Sequence, residues 1–173
     1  RTLPRVVQNR TSSCPQLSSS SGKGMIDDAA RASLGPSARF ILGADLKKDP
    51  AILIPAYDDA NGVTASFNLN LLARLNRELG ATFDLDAFFH QARWNEAEGQ
   101  VEMHLVAQEP TQATLCGKTF TFAAGETIHT EISRKFELAK FDALLGKSSW
   151  SRLHTWTDKR DYYGVMLLGP KLA

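Results

Sequence analysis

The chain has 173 residues, 43% of them hydrophobic and 23% charged, enough for one globular domain with a sizeable core. Its 20 basic and 19 acidic side chains nearly cancel, and no run of Lys or Arg is long enough to track phosphates or to lie on an anionic membrane. The composition argues against a nucleic-acid partner, and no stretch approaches the ~20 apolar residues needed to span a bilayer.

Cys14 and Cys116 lie far apart without a CxxC pairing, so neither a disulfide framework nor a zinc site is signalled, and a reducing, cytoplasmic setting is expected. The opening RTLPRVVQNRTSSC lacks the apolar core of a secretory signal, and its start on Arg rather than Met leads us to expect a partial chain.

Residues 1–24 are polar and Ser-rich, ending in Gly22 and Gly24, and read as a tail or loop with too little apolar surface to offset ordering entropy. A short helix is expected over Asp27–Leu34, stopped by Gly35-Pro36. The apolar run Phe40–Ala44 then predicts a strand buried on both faces, as in a parallel α/β sheet. Asp45 follows at its carboxyl end, where open α/β sheets place their ligand crevices, and Lys47, Lys48 and Asp49 make a polar connection onward.

Residues 50–59 predict a short helix, and Val63, Phe67, Leu71, Leu75 and Leu79 recur every four residues along one face of a second, with Gly80 as its C-cap. A third helix is expected near Asp84, carrying Leu85, Phe88 and Phe89. The period then changes to two: Val101, Met103 and Leu105 alternate with Glu102 and His104. With turn chemistry at Asn95–Gly99, residues 91–107 predict an antiparallel hairpin, and Phe120 and Phe122 mark a further strand.

Ala124-Gly125-Glu126 turns the chain into a strand over 128–136, where Ile128, Thr130 and Ile132 share one face and His129, Glu131 and Ser133 the other. A helix over 137–145 leads to two apolar stretches, Trp150–Trp156 and Val165–Leu168, expected to pair as a terminal hairpin around the polar loop Thr157–Asp161.

The four histidines His90, His104, His129 and His154 are dispersed, without an HxxxH or HExxH spacing, so no metal site is expected. The serines at 18–21 have no GxSxG elbow, neither cysteine sits in a nucleophile signature, and Gly22-Lys23-Gly24 is too short for a phosphate loop. We therefore assign no catalytic residue. Glu131 and Ser133 are the exception: two residues apart on a strand, they can offer a carboxylate and a hydroxyl to one imidazole or other cationic ring. By pattern alone, a solvated strand face beside Arg134 and Lys135 is the favoured reading of both residues.

Three blocks decide between these readings: ADLKKDPAILIPAYDDANGVTASFNLNLLARLNRELGATFDLDAF, RWNEAEGQVEMHL and FAAGETIHTEISRKF. In order and spacing they resemble the histidine-specific methyltransferase family of ergothioneine biosynthesis over roughly residues 40–136, and the WTD at Trp156–Asp158 resembles its C-terminus. The resemblance implies an α/β protein, the C-terminal part of a Rossmann-like fold with an inserted α+β substrate-binding subdomain at about 50–136 within a body over 25–173. It implies transfer of methyl groups from S-adenosylmethionine (SAM) to the α-amino group of L-histidine, giving hercynine.

By position, Tyr57 in AYDD resembles the tyrosine that engages the backbone end of the substrate, and Glu131 and Ser133 in TEIS resemble the pair that grips the imidazole. Met103 in EMHL resembles a residue packing against that ring. A carboxylate there would favour histidine over apolar amino acids, which leave it buried and unpaired.

Upstream of residue 40 the match deteriorates. The family carries a GSSIGNF-like motif where this chain reads SSCPQLSSSSGKG, and Leu17 lies near the place of its carboxylate-holding asparagine. The family's glycine-containing donor loop and its following acidic residue belong to an N-terminal half not found in these residues, so a partner chain supplying that half is expected. Catalysis with such a partner, histidine binding without catalysis, and an inactive remnant with an apolar sheet edge prone to self-association remain as alternatives.

Overall fold

The computed structural model describes residues 37–146 and 148–171, so the Ser-rich start and the helix expected over Asp27–Leu34 lie outside the described residues. Helices and strands together make a mixed α/β protein that divides into two compact units, one of residues 49–133 and one that includes residues 37–48 and 134–171.

The first unit opens with helix α1 (Pro50–Tyr57), whose first turn is set by Pro50 at N1 and by Asp49, accepting from the Ala51 N–H at 2.8 Å. Helix α2 (Val63–Leu79) begins where Asp59 accepts from the N–H groups of Thr64 at 2.8 Å and Val63 at 3.1 Å; these bonds hold its carboxyl down to about 2. It ends at Gly80, whose φ of 63° closes the last turn with a bond to the Leu75 carbonyl, as expected.

Strands β2 (Phe88–Asn95) and β3 (Gln100–Ala107) form the expected hairpin in the register Phe88↔Ala107 to Asn95↔Gln100, somewhat longer than the sequence indicated. A separate hairpin joins β4 (Thr111–Leu115), which the sequence reading did not foresee, to β5 (Lys118–Phe122) through Cys116 and Gly117. Their φ values of 50° and 71° make the two-residue loop that matches strand twist. Strand β6 (Thr127–Arg134) lies on the far side of β3 from β2.

Leu72, Phe83, Phe88, Leu105, Ala107 and Ala113 build the core of this unit, with Phe122 edge-on to Phe88 at 5.3 Å.

Two expectations change here. The third helix shrinks to a single 3-10 turn, Leu85–Ala87, because Phe88 is 3% exposed and Phe89 43%, the period of a strand rather than of a helix. In α2, the face that packs carries Asn68 and Leu72, whereas Val63, Phe67, Leu71 and Leu79 from the four-residue stripe are exposed.

In the second unit, β1 (Phe40–Asp45), β8 (Tyr163–Pro170) and β7 (Trp150–Thr157) form a sheet in the order β1-β8-β7, with both pairings antiparallel. The terminal hairpin is as expected, with a bulge between Arg152 and His154. Strand β1 is not the doubly buried parallel strand that its apolar run predicted. Ile41 is 72% exposed, and burial alternates along the strand, because only one face meets Phe141, Leu145, Trp150 and Met166 of the core. Helix α3 (Leu138–Leu145) supplies Phe141 and Leu145.

Candidate functional site

The candidate residues Tyr57, Met103, Glu131 and Ser133 all fall in the first unit. Tyr57 is the last residue of α1, and its hydroxyl shares a 2.8 Å hydrogen bond with Ser133 Oγ near the end of β6. The ring packs with Ile54 and Trp94 against the buried cluster Leu53, Ala92 and Val101.

The backbone of Tyr57 is held as well. Its carbonyl lies 2.7 Å from His90 Nε2, and since a carbonyl only accepts, Nε2 carries the hydrogen. The other ring nitrogen, Nδ1, then accepts from the Asn68 amide at 2.9 Å, and the same amide nitrogen reaches the His104 carbonyl at 3.3 Å. Asn68 and His90 are 5% and 7% exposed, so α2 positions the end of α1 through a buried, satisfied relay.

Met103 is 5% exposed and stands opposite Ala92, on the sheet face covered by α1; its carbonyl accepts from Thr130 Oγ1 at 2.9 Å. Glu131 is exposed, and its carbonyl accepts from His129 Nε2 at 3.2 Å. The structure thus joins Tyr57 directly to Ser133, sets Met103 in the buried sheet beneath α1, and leaves Glu131 on the surface of β6.

Regular alternation does not run the length of β6. Glu131 and Ile132 are exposed in succession. His129 stacks on His104, whereas Ser133 meets Tyr57 of α1, so these two residues engage partners from opposite faces of the sheet.

On the face away from α1 lies a group that the dispersed histidines did not suggest. Side-chain ligand atoms of Glu102, His104 and His129 all fall within 4.8 Å of one another. His104 Nε2 is 3.3 Å from Glu102 Oε2, and its ring is stacked on His129 with centroids 4.7 Å apart. Burial raises the Glu102 pKa, but hydrogen bonds from Gln100 and Asn95 and the nearby imidazoles more than offset it, leaving the carboxyl below its ordinary value. Burial, helped by the Arg93 and His129 charges, lowers that of His104. The i, i+2 spacing of Glu102 and His104 was visible in the sequence; the pairing of β3 with β6 that adds His129 was not.

Asp45, expected to be functional from its place at a strand end, is engaged by two lysines, Nζ of Lys135 at 2.6 Å and of Lys48 at 2.5 Å. Burial raises its pKa, and these two partners outweigh it and hold the carboxyl below its ordinary value.

The profile of the family described as histidine-specific methyltransferase, SAM-dependent, matches residues 6–170. Two proteins named histidine N-alpha-methyltransferase are similar to this chain. The one from Mycobacterium tuberculosis is 46% identical over 134 residues, covering 76% of this chain and 42% of its own length. The one from Mycolicibacterium smegmatis is 45% identical over 136 residues, covering 78% and 42%. A protein of Neurospora crassa named ergothioneine biosynthesis protein 1 is 26% identical over 135 residues, covering 78% of this chain and 15% of its own. The fold is mixed α/β, and the profile places the chain in a methyltransferase family. The chain belongs to the histidine-specific, SAM-dependent methyltransferase family, and it spans about 42% of the length of the mycobacterial relatives.

Proposed function

We propose that this chain is the histidine-recognising part of an enzyme that transfers methyl groups from SAM to the α-amino nitrogen of L-histidine, yielding hercynine. The observation that carries the reading is the 2.8 Å bond between Tyr57 and Ser133, two positions the family resemblance assigns to opposite ends of one substrate. The compact unit of residues 49–133, which contains all four candidate residues, supports its reading as the substrate-binding subdomain.

In this account Ser133 and Glu131 receive the imidazole, Met103 backs the ring, and Tyr57 meets the amino-acid end. Glu131 is exposed rather than buried as the sequence suggested, so its carboxylate favours histidine over apolar side chains by the ~1.5–3 kcal/mol of a charged hydrogen bond only where the bound ligand shuts out water. Orientation of the amine is the catalytic contribution of these residues.

Our reading is that the described residues hold no complete SAM site. The left-handed glycines Gly62, Gly80, Gly99, Gly117 and Gly125 each serve a helix end or a turn leading into a strand, and none cradles a donor after a parallel strand. We therefore assign the donor site, and the rest of a Rossmann-like sheet, to sequence other than these residues; β1 stands at the edge of its sheet, the side on which further strands would pair. Among the described residues no helix is long and apolar enough to cross a membrane, which is compatible with work in the cytoplasm.

The same glycine accounting favours a second reading, a module that binds histidine without transferring methyl groups. An assay with SAM and L-histidine separates the two when the chain is tested alone and mixed with the separately expressed N-terminal segment of the M. tuberculosis relative. Methylated histidine from the mixture only supports the first reading. Histidine binding with no product in either tube supports the second, and product from the chain alone would overturn our placement of the donor site.

A further inference from the structure

We propose that Glu102, His104 and His129 form a binding site for a divalent first-row transition ion, with Zn2+ the best fit to the donor set. One carboxylate oxygen and two imidazole nitrogens are the three-ligand pattern that zinc accepts, leaving a fourth position for water or another group, whereas Mg2+ and Ca2+ prefer oxygen throughout.

Distances support the assignment. An ion ~2.1 Å from each donor in tetrahedral geometry holds the donors ~3.4 Å apart. Glu102 Oε2 and His104 Nε2 are already 3.3 Å apart, and the whole set lies within 4.8 Å. Closing it needs a movement of about 1.4 Å or less, and the exposed His129 is the residue free to make it, by turning out of its stack on His104.

The surrounding contacts orient each ligand as metal sites require. Glu102 Oε1 accepts from Asn95 Nδ2 and Gln100 Nε2, both at 2.8 Å, which aims Oε2 at His104. His104 Nδ1 is 3.2 Å from Thr127 Oγ1, which can accept its hydrogen and leave the Nε2 lone pair for the ion. His129 Nε2 donates to the Glu131 carbonyl, leaving Nδ1 as its ligand atom. Glu102 and His104 are fixed in the sheet, and the exposed His129 gives the ion its way in.

The test is titration of the full chain with Zn2+ by calorimetry and with Co2+ by visible spectroscopy, in the wild type and in His129→Ala and Glu102→Gln, with far-UV circular dichroism to show that the variants fold. We expect one equivalent of ion, affinity lowered at least ~10-fold in each variant, and a cobalt spectrum without thiolate charge transfer. No uptake, uptake unchanged in either folded variant, or a thiolate band implicating Cys14 or Cys116 would each overturn the site. The outcome is independent of histidine binding and of methyl transfer.

Discussion

The hydroxyls of Tyr57 and Ser133 lie 2.8 Å apart although 76 residues separate them in the chain. One closes a helix and the other stands near the end of a strand, so the bond ties α1 to β6 at the place where the family resemblance puts histidine.

If the two hydroxyls act together on the ligand, removing either should weaken L-histidine binding by about 1 kcal/mol, roughly fivefold, and removing both should cost less than the sum. Calorimetry on Tyr57→Phe, Ser133→Ala and the double variant measures this. Strictly additive losses would mean that the hydroxyls do not share a site.

Asn68→Ala leaves His90 Nδ1 without its amide donor in a buried setting and should lower unfolding stability by ~1–3 kcal/mol. Histidine affinity should fall as well, because the carbonyl of Tyr57 is held by the same imidazole. A urea melt and a histidine titration of this variant check both. Loss of stability with full affinity would show the relay to be structural only.

In the second unit, Asp45→Asn removes the anion beside the Lys135 ammonium, whose side chain is fully buried. Because Asp45 is about a third exposed, the cost should be ~2 kcal/mol rather than the ~3–5 of a wholly buried pair. The Asp45 pKa is lowered on folding, so its carboxylate adds stability above the unfolded value near pH 4, and that contribution fades as pH falls through the folded value. The gap between wild type and Asp45→Asn in urea melts should therefore be full at pH 7 and narrow below pH 4. A constant gap would contradict the assignment.

Packing of α2 gives a contrast between neighbouring turns. Leu72→Ala, at a residue 1% exposed, should cost ~2–5 kcal/mol, and Phe67→Ser, at one 66% exposed, less than ~0.5. Equal costs in thermal melts would mean that the four-residue stripe is buried after all.

Local chemistry was legible in the sequence wherever one residue type carries it. Gly80 ended its helix, Asn95–Gly99 turned its hairpin, and the apolar runs around 150–156 and 165–168 paired as read. What escaped depends on partners distant in the chain. The run Phe40–Ala44 looks buried on both sides until its single covered face is known. The α2 stripe looked like a packing face by spacing, yet the helix turns Asn68 inward because His90 supplies its partner. The candidate site divides the same way. Glu131 and Ser133 became candidates through their spacing on one strand and the TEIS block, whereas His129 joins Glu102 and His104 only through the pairing of β6 with β3.

The central claim, that residues 49–133 recognise histidine, is tested most directly by calorimetric titration of the purified chain with L-histidine and L-leucine, in the wild type and Glu131→Ala. We expect saturable binding of histidine, none of leucine, and at least ~10-fold weaker histidine binding in Glu131→Ala, as loss of a charged hydrogen bond requires. Histidine binding unchanged in the variant, or none in the wild type, would contradict the account.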